Sequence, residues 1–197
     1  MSTVLDMLSQ QMGSGVLSQL SQHLGTDEKA TESAMSAALP MILGGLSRNA
    51  AKPDGAQALL GALDRDHDGS VLDDITGFLN NPNQDDGNGI LKHVLGNRRN
   101  AVESGVSRAS GLDAGSVGKL MTMLAPLVMG ALGRQRRQQQ LDTGGLSDLL
   151  SKERHAVEKD APGLSPLTRL LDADGDGQIL DDLVGKIGLL SRLFGRK

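Results

Sequence analysis

Cysteine, tryptophan and tyrosine are absent from this chain, and Phe78 and Phe194 are its only aromatic residues. Without cysteine there is no disulfide scaffold, no thiolate zinc site and no thiol nucleophile. Without aromatic faces there is no stacking platform for single-stranded nucleic acid. Neither sign of charge dominates. Twenty Lys and Arg against 24 Asp and Glu give a net charge of −4, which argues against a nucleic-acid partner. No apolar run is long. The longest, Leu120 to Leu132 (LMTMLAPLVMGAL), is too short to span a bilayer and contains Pro126, so it reads as a buried helix pair. The first residues show no basic stretch followed by a long apolar one, so a cytoplasmic location is expected, with export lacking a cleaved signal left open. Phosphate loops, dinucleotide fingerprints and nucleophile elbows are missing, and no enzyme is expected.

What is present is 38% hydrophobic residues in 197 positions, supplied by Leu, Ala, Met, Val and Ile. Such a core suits helices better than strands, which favour aromatic and β-branched residues. No segment alternates convincingly with a period of two. The fold class is therefore all-α and multihelical.

The chain also resembles itself. Residues 4–48 align without gaps on residues 90–134, with 11 identities in 45 positions. Gly25, Asp27, Met35, Pro40 and Gly44 meet Gly111, Asp113, Met121, Pro126 and Gly130. A second match pairs residues 64–75 (DRDHDGSVLDDI) with 172–183 (DADGDGQILDDL) at an offset of 108 rather than 86. The second copy thus carries about 22 extra residues within 135–164. Two similar helical repeats are expected, over 1–82 and 83–197. The insertion reads as an exposed loop and a solvated helix.

Within the first repeat, helices are expected over Val4 to Met12 and Val16 to Leu24. Gly25 suits a left-handed helix end, and Asp27 caps a third helix. Pro40 is expected to end or kink that helix and to open another over Met41 to Asn49. Gly44 and Gly130 are expected where helices approach closely. The segment LGTDEKATESAMSAALPMILGGL and its partner SGLDAGSVGKLMTMLAPLVMGAL resemble the YidB-like bacterial proteins of unknown function. The resemblance implies a small multihelical domain and no catalytic residue.

The two acidic segments carry the chemistry. D-x-D-x-D-G is the first half of an EF-hand calcium loop. Ca²⁺ is a hard cation that takes six to eight oxygens, and carboxylates at alternate positions of a tight turn can converge on it. Asp64, Asp66 and Asp68 would be ligands in the first loop, Gly69 the bend and Ser70 a carbonyl donor. Asp172, Asp174, Asp176, Gly177 and Gln178 hold the same places in the second. Each repeat would thus end in an EF-hand-like helix–loop–helix. Position twelve of an EF-hand is a bidentate Glu, but here it is Ile75 or Leu183. At least one of Asp73 and Asp74, and one of Asp181 and Asp182, is expected to ligate instead. Val71 and Ile179, at the apolar eighth position, are expected to pair the two loops in a short two-strand contact.

The resulting expectation is about two Ca²⁺ per chain, stabilising the fold or switching a surface for a protein partner or self-association. The rival reading is a structural or assembly protein whose acidic loops are metal-free turns. The basic cluster Arg134, Arg136 and Arg137 reads as a solvated loop, the methionines as core filler, and His23, His93 and His155 as ordinary surface or half-buried residues.

Overall fold

The computed structural model describes residues 4–160. The second acidic segment, 172–183, lies outside the described residues, and so do the helices expected on either side of it. The described chain runs α1 (Val4–Gln11), α2 (Ser14–Leu24), α3 (Glu28–Ala50), α4 (Pro53–Arg65), α5 (Ile75–Asn80), α6 (Gln84–Leu95), α7 (Arg99–Ser110), α8 (Ala114–Gln139) and α9 (Thr143–Asp160). One-turn 3₁₀ segments follow α4 and α6, at Ser70–Leu72 and Gly96–Arg98. Among the described residues there is no strand.

Helices α3 and α8 are the two long elements, and each meets most of the others. α3 packs against α2, α4, α6, α7, α8 and α9, while α8 takes α1, α2, α4, α6, α7 and the 3₁₀ turn after α4. Their ends follow local rules. Asp27 accepts from the Ala30 amide at the start of α3, and Asp113 accepts from the Ser116 amide at the start of α8. These side chains satisfy amides that have no partner within the helix. Gly25 and Gly111, in left-handed conformation, end the preceding helices.

The prolines act differently from expectation. Pro40 lies inside α3, and Met41 to Asn49 continue that helix rather than form a new one. Pro126 lies inside α8, so Leu120 to Leu132 belong to one helix and not to a pair. An interior proline costs about 3 kcal/mol. Around Pro40, the side chains of Leu39, Met41, Ile42 and Leu43 are all buried. Each such burial contributes about 1.5–3 kcal/mol. Continuing the helix therefore wins over breaking it. α8 is the one helix among the described residues long and apolar enough to cross a membrane, but 78% of its apolar window is buried inside the fold. Its apolarity serves the core.

Two further expectations change. A Cβ on Gly44 would meet nothing within 4 Å, whereas one on its neighbour Gly45 would lie 2.6 Å from Val94 Cγ1. The close approach of α6 to α3 therefore falls one residue later. The segment after α8 is also more than a solvated helix, because α9 buries Leu146, Leu150, Glu153 and Val157 and packs on α3 and α4.

Candidate metal centre

The first acidic loop begins at the C-terminal end of α4. That helix starts at Pro53, which needs no amide partner at its first position. Its apolar face holds Ala56, Leu59 and Leu63 in the core, so Asp64, one residue after Leu63, emerges at the surface. Asp66 follows as the residue closing the helix. The chain then turns sharply at Gly69, with φ +95°, a conformation open mainly to glycine. Asp68 supports the turn by accepting from the Ser70 amide at 2.9 Å. The Ser70 hydroxyl and amide, with Arg137 beyond them, hold the Asp68 carboxyl below its ordinary range.

The loop lies on α8. A Cβ on Gly133 would fall 1.8 Å from the His67 carbonyl oxygen, and one on Gly130 would fall 2.4 Å from Val71 Cγ1. Small residues at both positions let loop backbone sit against helix backbone. Gly130 thus admits the loop rather than another helix. Val71, expected to pair with Ile179 in a strand, instead occupies the 3₁₀ turn against α8. Ile179 lies outside the described residues.

The same helix supplies the countercharges, so the basic cluster is not a solvated loop. Arg136 grips Asp64 with both ends of its guanidinium, at 3.0 and 3.1 Å. Arg137 Nη1 lies 3.3 Å from Asp68 Oδ2. Arg134 donates to Asp73 and also to the Gly69 carbonyl at 2.7 Å. Asp74 caps α5 by accepting from the Gly77 amide at 2.7 Å. Asp66 has a loose contact, 3.8 Å, with its exposed neighbour Arg65. His67 Nε2 lies 3.7 Å from Asp86.

Of the ligands expected in this loop, Asp64, Asp68 and Asp73 therefore face arginines, Asp74 faces a helix N-terminus, and the Ser70 carbonyl accepts from the Asp73 amide at 2.9 Å. Among the described residues no three carboxylates or imidazoles are grouped so as to hold a metal ion. Asp172, Asp174, Asp176, Gln178, Asp181 and Asp182 lie outside them. Sequence reasoning missed the arginine partners. The available signal was a set of three cations, Arg134, Arg136 and Arg137, just after the glycines at 130 and 133.

Residues 6–135 match DUF937, described as a bacterial protein of unknown function, and the chain belongs to that family. Comparison with curated proteins and with solved structures gave no match.

Proposed function

We propose that this family member is a non-enzymatic structural protein in which the loop at 64–75 works as an ionic clamp on α8. The observation that carries the reading is the pairing of Arg134, Arg136 and Arg137 with Asp73, Asp64 and Asp68. Like charges crowded in one turn require neutralisation, and here guanidinium groups supply it. The fold is a duplicated helical module, a reading supported by the matching caps at Asp27 and Asp113. It extends the resemblance to the YidB-like proteins over both halves.

A second reading, calcium binding, has its own support in the D-x-D-x-D-G spacing and the left-handed bend at Gly69. Magnitudes separate the two. A calcium loop of the sensor type or weaker would bind with Kd of about 10⁻⁶–10⁻³ M. Entry of Ca²⁺ into the first loop must first break the Asp64 and Asp73 pairs. Solvent-exposed pairs of this kind are worth about 0.2–1 kcal/mol each. Two of them weaken binding about tenfold. Arg137 adds repulsion of the incoming cation. The first loop is then a poor sensor even if its carboxylates could converge.

Calorimetric titration of metal-stripped protein with Ca²⁺, with Mg²⁺ as competitor, tests the proposal. The expected result is no first-loop binding tighter than about 10⁻⁵ M, unchanged by Asp172→Ala. Binding of two Ca²⁺ at micromolar concentration, one of them lost in Asp64→Ala, overturns the clamp and establishes the calcium reading.

A further inference from the structure

A groove of about 510 Å³ opens between α1, α2, α3 and α9, separate from the acidic loop. Its walls are apolar, formed by Leu5, Met12, Leu17, Met35 and Leu39. Its charged lining is of one sign: Asp6, Glu32 and Glu153, with no Lys, Arg or His among the described lining residues. Pockets of a few hundred Å³ with apolar walls and few polar groups suit small molecules.

Glu153 sets this groove apart from an ordinary surface depression. Its side chain projects from α9 and the residue is only 3% exposed. One carboxylate oxygen ties α9 to α1, since Oε1 accepts from the Val4 amide at 2.8 Å, at the N-terminus of α1. The other, Oε2, is buried and has no hydrogen-bond partner among the described residues. A buried, unpartnered carboxylate oxygen is costly, and a donor that also carries positive charge is the best complement to it. Burial pushes the Glu153 carboxyl above its ordinary range, while the amides of α1 oppose that shift.

We propose that this groove binds a small amphipathic amine, its ammonium donating to Glu153 Oε2 and its aliphatic chain lying along Leu5, Met12, Leu17, Met35 and Leu39. The walls take the apolar part, and the one-sided charge selects against anions. The carboxylate with a free oxygen selects the ammonium over a neutral head group. The site is independent of the clamp and needs no metal.

Octylammonium, 1-octanol and octanoate, each below micellar concentration and added to the full-length chain, supply the test. Binding is read from chemical-shift changes at Met12 and Met35 methyl groups. Octylammonium is expected to bind at least tenfold more tightly than octanol, because a hydrogen bond to a charged partner is the stronger kind. Octanoate is expected not to bind. Glu153→Gln should abolish the preference for ammonium over alcohol. Ser36→Arg, at an exposed position on the groove, should weaken octylammonium at least tenfold without touching the core. It keeps the proposal falsifiable should Glu153→Gln fail to fold. Octylammonium that fails to bind at millimolar concentration, or binds no better than octanol, overturns the proposal. So does an undiminished affinity in Ser36→Arg.

Discussion

Gly133→Ala puts the contact between the acidic loop and α8 to a test of sign. In an open helical position, Gly→Ala stabilises by about 0.8–1 kcal/mol, since alanine loses less chain entropy on folding. Gly44, in α3, is such a position, because a Cβ there would meet nothing within 4 Å. At Gly133 the new Cβ would fall 1.8 Å from the His67 carbonyl oxygen and 3.0 Å from its carbonyl carbon. These are main-chain atoms and cannot rotate aside. Either α8 shifts or the loop lifts away, and overpacking of this kind costs about 1–3 kcal/mol or more. A lifted loop also loses the Asp64 and Asp73 pairs, at about 0.2–1 kcal/mol each. Set against the propensity gain, the net effect is a destabilisation of about 1–3 kcal/mol. For a chain of this size each kcal/mol moves the melting temperature by about 2–4 °C. Thermal melts of Gly44→Ala and Gly133→Ala should therefore move in opposite directions, with urea titration giving the free energies. A Gly133→Ala protein as stable as the Gly44→Ala protein would refute the docking of the loop on α8.

Arg136→Gln should destabilise by about 0.5–1 kcal/mol in low salt, and the loss should shrink in about 1 M salt as the native pair is screened. The same variant should bind Ca²⁺ more tightly than the unaltered protein, as calorimetry would show. Asp27→Ala should cost about 1 kcal/mol through loss of the α3 cap, and Asp113→Ala should act in the same direction on α8. Two of the carboxyls moved from their ordinary ranges should respond oppositely to acid. The depressed Asp68 contributes stability that is present above the ordinary carboxylate range and lost as pH falls through its folded value. The raised Glu153 instead penalises the folded state at neutral pH, and the penalty is relieved as pH falls through its folded value. Glu153→Gln should therefore raise the melting temperature at about pH 7, and the gain should vanish near about pH 3.

The caps are legible in the sequence because they are local. Gly25 and Asp27 lie within four residues of the amides and carbonyls they serve, and so do Gly111 and Asp113. Pro40 misleads because its intrinsic effect is also local, while the burial that overrides it comes from helices far along the chain. The arginine partners of the loop are hidden for the same reason, at separations of 61 to 72 residues. Glu153 does leave a signal. Leu146, Leu150, Glu153 and Val157 follow a helical apolar spacing, and that spacing carries a charged residue into the interior.

Those long separations also set an order of events. Asp64, Asp68 and Asp73 cannot meet their partners until α8 has formed and docked, and the loop can settle only onto the glycines of a finished helix. Contacts of such high sequence separation demand a costly closure of the intervening chain before they return anything. The clamp then belongs to the last stage of assembly, after the rate-limiting barrier. Weakening it would leave the refolding rate nearly unchanged and hasten unfolding. In amide exchange, the segment from Asp66 to Asp74 would open before the helices that flank it.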